Sequence, residues 1–228
     1  LDTDGLNDVY ETLLQIKPEA EAFVFDEIQN VPHWELFINR LQRKKRNIFV
    51  TGSNGSLLSR DLASHLTGRQ LSLELMPFSF TEFLRMKGGG IIASQSPTPQ
   101  DEPTEARAFL AGAFEDYFLK GGFPEVIRGE PQGPYLRELF DKIIGRDIAQ
   151  RYELRGIKPL KELGLYLIQN SACQISLNNL CRVFLLRSLN TIRQYVEYLQ
   201  DCYLLYELTG YSNKLRERST QPKKIYAC

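Results

Sequence analysis

The sequence predicts an α/β core built around a parallel sheet, followed by an α+β winged helix-turn-helix domain. Two short runs indicate the core: residues 22–25 lead into the carboxylates of Asp26 and Glu27, and residues 47–50 lead into Thr51 and a glycine turn. Apolar runs of this kind are typical of strands buried on both faces of a parallel sheet. Three helical patterns and two strand-like segments beyond residue 159 indicate the second domain.

Polar side chains follow both predicted strands. In open parallel sheets, ligands bind at the carboxyl ends of the strands, where Asp26 and Glu27 stand. Nucleoside triphosphate hydrolysis uses one such carboxylate to hold Mg²⁺ and another to activate water. If the strands are parallel neighbours, Thr51, Ser53 and Asn54 lie level with the acids and can reach a γ-phosphate or the water. Each feature alone also fits an ordinary loop start or turn.

Helical and extended patterns alternate through the first half of the chain. Positive charge after the second helix is favourable against the helix dipole. The Ser-x-x-Glu spacing at Ser79 and Glu82 predicts a capping box. The other expected elements are a helix over 6–16, a helix that begins near Pro32, a helix over 57–66, a strand over 71–75, a loop over 88–103, a helix over 106–119 and a glycine turn over 121–125.

Five segments in order resemble a large group of bacterial and archaeal AAA-type P-loop ATPases, which carry a C-terminal domain of unknown function with winged-helix character. The segments are FVFDEIQNVPHWE, VTGSNGSLLS, LTGR, MPFSFTEFL and FLKGGFPEV. The resemblance implies a Walker B pair with Asp26 on the metal and Glu27 as the base, and ATP and Mg²⁺ as cofactors. It also implies sensor 1 at Ser53 and Asn54 and a phosphate-sensing or finger arginine at Arg69, for which a surface salt bridge is the alternative.

One motif of that family is absent from the sequence. A Walker A loop reads Gly-x-x-x-x-Gly-Lys followed by Ser or Thr, and its amides and lysine cradle the phosphates. Residues 52–55 lack the lysine, and no other glycine-containing segment matches the motif. We therefore expect a fragment that is inactive alone, with the Walker A loop upstream. Its expected parts are a partial ATPase core over 1–86, a loop and helical lid over 87–134 and a truncated winged-helix-like domain over 135–228.

The C-terminal part carries the helices and hairpin of the predicted winged helix. The third helix, over 189–204, follows Ser188 as its N-cap. Its groups able to meet base edges are Asn190, Arg193 and Gln194. The other expected elements are helices over 135–152, 160–170 and 177–184, an extended piece over 174–176 and a hairpin of 205–211 with 223–226.

The segment between the last two strands, residues 212–224, is basic. Lys214, Arg216 and Arg218 are among its five cations, against the single acid Glu217. Such a wing can contact the phosphates of DNA. Because the third helix also carries acidic and tyrosine side chains, contact with a protein or self-association stays open beside DNA.

Composition excludes several classes of protein. The 28 basic and 28 acidic residues cancel, so no global field indicates a nucleic-acid partner. Four separated cysteines and two histidines argue against a metal site built from these residues and fit a reducing cytoplasm. No apolar run is long enough for a membrane span.

The sequence thus predicts an AAA-family ATPase that uses ATP hydrolysis to drive or switch a partner interaction through a winged helix. Two alternatives remain open. One is a DNA-binding regulator whose ATPase is vestigial, and the other is a protein-interaction or antitoxin-like module.

Overall fold

The computed structural model describes residues 3–52, 71–88, 104–184, 188–214 and 221–228. Contacts divide the chain into two compact units, Leu1–Ser72 with Lys142–Cys228, and Leu73–Asp141. Helices predominate over strands in both described parts. None of the helices in these ranges is long and apolar enough to cross a lipid bilayer.

The first unit begins with two helices packed on one face of a parallel pair of strands. The elements are α1 (Thr3–Ile16), β1 (Ala22–Phe25), a 3-10 turn (Ile28–Asn30), α2 (Trp34–Arg43) and β2 (Asn47–Val50). Aromatic rings hold the layers together: the Tyr10 and Phe23 centroids lie 5.1 Å apart, and Phe25 meets Phe37 edge-on at 5.3 Å. Apolar burial against α1 and α2 therefore fixes this face of the sheet.

The predicted parallel pairing of the two strands is confirmed, but the predicted burial of both faces is wrong. Phe23 pairs with Ile48 and Phe25 with Val50. On the other face, Val24 is 68 % exposed and its partner Phe49 is 59 % exposed. The difference arises because α1 and α2 pack on the face that carries Phe23 and Phe25.

The first unit continues in the C-terminal region with three helices and a small antiparallel sheet. The elements are α7 (Lys158–Gln169), β3 (Gln174–Ile175), α8 (Leu177–Val183), α9 (Leu189–Asp201), β4 (Leu205–Leu208) and β5 (Lys223–Ala227). The sheet order is β3-β5-β4. The predicted helices and hairpin are confirmed, and Ser188 caps α9 by accepting from the Asn190 amide at 3.2 Å.

A π-helical segment, Ile143–Gln150, leads into this region. The sequence predicts one continuous α-helix over 135–152, whereas the structure has an α-helix up to Lys142 and the wider π winding beyond it. Gly145 lies within the segment and lowers the stability of a regular α-helix there. Ile144 and Ile148 are buried, so packing holds the segment in place.

The described residues of the second unit form four helices, α3 (Phe80–Met86), α4 (Thr104–Lys120), α5 (Pro124–Arg128) and α6 (Gln132–Lys142). The predicted capping box is confirmed: Ser79 Oγ accepts from the Glu82 amide, and the Ser79 amide donates to Glu82 Oε2 at 2.8 Å. The glycine turn is also required sterically, because a Cβ on Gly122 would lie 2.3 Å from the Phe78 carbonyl oxygen.

Two apolar patterns in the middle of the chain do not form the predicted structure. The strand predicted over 71–75 is not formed, and Leu71, Leu73 and Leu75 are all exposed. Helix α4 forms as predicted, but none of its residues is buried. An alternating or helical apolar pattern indicates a local conformation, whereas burial depends on how fully a neighbouring element covers it. Helix α3 contacts α4 through Phe80 on Phe114 and Phe83 on Tyr117, without burying any residue of α4.

Candidate active site

The site lies where β1 and β2 end side by side. The Thr51 amide donates to the Phe25 carbonyl at 3.0 Å, which extends the ladder one residue beyond the end of β2. The Thr51 hydroxyl donates to Asp26 Oδ1. It also accepts from the Glu27 amide at 3.4 Å. One hydroxyl thus connects the end of the second strand to both acidic residues.

Glu27 occupies an unusual backbone conformation. Its φ of 52° and ψ of 37° lie in the left-handed region, and it is followed directly by the 3-10 turn. A non-glycine residue there costs on the order of 1 kcal/mol, so the surroundings must hold it. They do so through buried Ile28 and through the Asn30 amide, which donates to the Glu27 carbonyl at 3.2 Å.

The Glu27 carboxylate is contacted from two sides. Gln29 Nε2 donates to its Oε2 at 2.7 Å, and Arg146 Nη2 lies 3.9 Å from the same oxygen. Arg146 Nε in turn donates to Asp147 Oδ1 at 2.9 Å. This contact and the charge of Asp147 raise the pKa of Arg146, and the charge of Glu27 adds to the effect.

The donor atoms fit a magnesium nucleotide. Mg²⁺ prefers hard oxygen ligands and usually takes one or two carboxylates together with phosphate oxygens and water. Asp26 offers an exposed carboxylate, and its Oδ1 is oriented by Thr51. Within the described residues, no group of three or more His, Cys, Asp or Glu gathers to form an all-protein metal cage. That arrangement suits an ion shared with a substrate.

The other sequence-predicted site residues are divided between described and undescribed parts of the chain. Ser53, Asn54, Arg69, Arg216 and Arg218 lie outside the described residues. The exposed surface of α9 carries Asn190, Arg193 and Gln194, and Lys214 is exposed beyond β4.

Within that surface, Arg193 Nη1 donates to Asn190 Oδ1 at 3.3 Å. The Lys214 amide donates to Ser212 Oγ at 3.1 Å, so the start of the segment after β4 forms a local turn. All four residues belong to the C-terminal region: Asn190, Arg193 and Gln194 lie on α9, and Lys214 follows β4.

Sequence reasoning missed three residues of the site. Gln29 lies within the segment that carries the resemblance, and its position two residues after Glu27 was the available signal. Arg146 and Asp147 had no such signal, because the contact joins residues far apart in the chain. Only the fold brings them together.

Comparison with known proteins finds two family matches along the chain. Residues 1–84 match a family described as AAA domain, and residues 111–228 match a family described as Domain of unknown function (DUF8612). The second match covers more than half of the chain. The chain belongs to the DUF8612 family. Glu27 therefore lies in the AAA-matched region, whereas Arg146 and Asp147 lie in the DUF8612 region.

Similar proteins carry no assigned function. The chain is 35 % identical over 222 residues to an uncharacterized protein of Methanocaldococcus jannaschii, MJ1544, covering 93 % of this chain and 48 % of that protein. It is 32 % identical over 214 residues to an uncharacterized protein of Haemophilus influenzae, covering 89 % of this chain and 50 % of that protein. The chain thus spans about half the length of these curated relatives. No solved structure shows a significant match to it.

Proposed function

We propose that the intact protein is a Mg²⁺-dependent ATPase whose site is built on Asp26 and Glu27. The observation that carries the proposal is their position at the carboxyl end of a parallel strand pair, with the Thr51 hydroxyl on Asp26, in a region that matches an AAA domain. A Walker A loop would come from outside the 228 residues, since their sequence lacks the motif. Ser53 and Asn54 are proposed as sensor 1, and Arg69 as the phosphate-sensing arginine.

The proposed chemistry is attack of water on the γ-phosphorus of ATP. Glu27 accepts the proton of the attacking water, the bond between the γ-phosphorus and the bridging oxygen breaks, and ADP and inorganic phosphate leave. Asp26 would hold the metal, with the orientation of its carboxylate set by Thr51. When bound, Mg²⁺ would neutralise the charge that develops on the phosphate oxygens.

The first experiment measures Mg²⁺-dependent ATP hydrolysis by the intact protein. Glu27→Gln is expected to retain nucleotide binding and to lose at least about 100-fold in kcat, because the amide is not a base. Asp26→Asn is expected to raise the Mg²⁺ concentration needed for half-maximal hydrolysis. Glu21→Gln is the matched control, since Glu21 is exposed at the opposite end of β1. Unchanged hydrolysis in Glu27→Gln would contradict the assignment.

We also propose that the region after the lid is a winged helix-turn-helix, within the three-part division at 1–86, 87–134 and 135–228. The support is the element order from α7 to β5 and the sheet order β3-β5-β4. Helix α9 would be the recognition helix, with Asn190, Arg193 and Gln194 exposed. Hydrolysis would then switch how this surface is presented to a partner. The four cysteines form no disulfide, which favours a reducing cytoplasm as its location.

DNA is the partner that the basic wing favours, and the test is charge reversal. In the triple variant Lys214→Glu, Arg216→Glu and Arg218→Glu, DNA binding and its steep salt dependence should both be lost. Lys158→Glu, at the exposed start of α7, is the control, because it changes the charge by the same amount per residue outside the wing. Binding of a partner that survives the triple variant would instead favour the protein-interaction or antitoxin-like alternative. DNA binding without any ATP hydrolysis would favour a regulator with a vestigial ATPase.

A further inference from the structure

One oxygen of the Glu27 carboxylate is contacted by two side chains, one local and one from a distant part of the chain. Gln29 is local and donates to Oε2 from the turn after β1. Arg146 comes from the π-helical segment and lies 3.9 Å from Oε2, which is an ion-pair distance rather than a hydrogen-bond distance. Neither of these two contacts involves Oε1. In the proposed reaction, that oxygen would accept the proton of the attacking water.

Arg146 is itself held in place by a buried group. Its Nε donates to Asp147 Oδ1 at 2.9 Å, and the Asp147 side chain is only 9 % exposed. Buried carboxylates are stable only when paired or hydrogen-bonded, so Asp147 fixes the direction of the guanidinium. The neighbouring Ile148 is fully buried, which anchors the backbone of both residues.

Stability alone does not explain the contact between Arg146 and Glu27. The Arg146 side chain is 59 % exposed, and ion pairs that face solvent contribute little to folding. The contact can matter much more for the orientation of Glu27, because misplacing a catalytic group by about 1 Å can lower the rate by a large factor. A weak contact can thus have a small effect on folding and a large effect on hydrolysis.

We propose that Arg146, fixed by Asp147, is a positioning residue for Glu27, so that the DUF8612 region completes the hydrolytic site of the AAA region. The inference rests on the proposed ATPase function. The contact connects the two matched regions directly at Glu27, the proposed catalytic base. A change in the π-helical segment would then move the guanidinium that orients Glu27. ATP binding itself does not depend on Arg146.

The test is steady-state ATP hydrolysis by the intact protein with Arg146→Ala. We expect kcat to fall roughly tenfold, with KM for ATP and the affinity for a non-hydrolysable ATP analogue unchanged. Arg146→Lys keeps the charge but loses the planar fork, so it should recover part of kcat. Arg155→Ala, an exposed arginine a short distance further along the chain, is the matched control and should retain the wild-type kcat.

A double-variant cycle tests whether Asp147 acts through Arg146. Asp147→Asn should lower kcat in the wild-type background and have no further effect on kcat in Arg146→Ala. Thermal melting of each variant shows whether the fold is retained. If Arg146→Ala keeps the wild-type kcat, or raises KM alone, the positioning role is wrong. If the wild-type protein does not hydrolyse ATP, the proposed function fails instead, and the two failures are distinguished.

Discussion

The two ends of the first unit are stabilised in different ways. In the C-terminal region, side chains from two helices and one strand are almost completely buried: Leu160, Leu163, Leu167, Ile192, Leu199 and Ile225. At the site, one face of the two-stranded sheet is exposed, and the acidic side chains are held by a few polar contacts. Stability and the proposed activity therefore depend on different residues, so single variants should change one without the other.

The largest expected effect is on the C-terminal core. Ile192→Ala in α9 removes a fully buried side chain, and we expect it to lower the free energy of unfolding by about 2–5 kcal/mol. Val24→Thr, on the exposed face of β1, should change it by less than about 0.5 kcal/mol. Denaturant unfolding followed by circular dichroism measures both. Equal losses would show that the face carrying Val24 is covered in solution and would remove the contrast.

The second expected effect is a loss of stability in alkali that originates in the same core. Burial raises the pKa of Cys202 from 9.0 to about 12. Burial, followed by the charge of Asp201 and a hydrogen bond to it, raises the pKa of Tyr152 from 10.0 to about 12. Tyr152 also stacks on Tyr198, with ring centroids 3.8 Å apart, so it cannot move readily into solvent.

The direction of the pH effect on stability follows from the raised pKa values of the two groups. Above the unfolded-state pKa the unfolded chain releases protons that the folded chain retains, so the stability contributed by both groups is complete below pH 9.0 and falls as the pH rises toward about 12. Tyr152→Phe with Cys202→Ala should flatten this decline, whereas Tyr211→Phe, at an exposed tyrosine, should not. A pH series of thermal melts is the measurement. An unchanged slope in the double variant would contradict the prediction.

The features that could be predicted from the sequence are those that depend on residues close together in the chain. The capping box at Ser79 and Glu82, the N-cap at Ser188 and the helices of the C-terminal region all follow from spacings of a few residues. The parallel alignment of Asp26 with Thr51 also followed, because both come directly after apolar strands that pair in register.

The rest depends on contacts between distant segments. A strand pattern cannot tell whether a second layer covers it, which is why the exposed Val24 and Phe49 were predicted to be buried. The leucines at 71–75 alternate as in a strand, but they form no ladder. Arg146 meets Glu27 only through the packing of the π-helical segment, and no local spacing encodes that contact.

A smaller effect is expected at the metal side of the site. Thr51→Val keeps the shape of the side chain but removes the hydroxyl that orients Asp26 and accepts from the Glu27 amide. Loss of a hydrogen bond of this kind costs about 1 kcal/mol. The Mg²⁺ concentration needed for half-maximal hydrolysis should therefore rise roughly fivefold. Thr51→Ser should restore it. Thr12→Val, at an exposed threonine of α1, should leave the Mg²⁺ titration unchanged and serves as the control.

The smallest effect is expected for an ion pair in the C-terminal sheet, and it sharpens the contrast with Glu27. Lys223 on β5 contacts Glu207 Oε1 on β4, and both side chains retain access to solvent. Glu207→Gln should lower the free energy of unfolding by no more than about 1 kcal/mol, less at high salt, and leave ATP hydrolysis unchanged. Glu27→Gln should give the opposite result, with hydrolysis lost and the melting temperature nearly unchanged. If Glu207→Gln also slowed hydrolysis, the two ends of the unit could not be treated as separate, and the ATPase would depend on the whole C-terminal sheet rather than on Arg146.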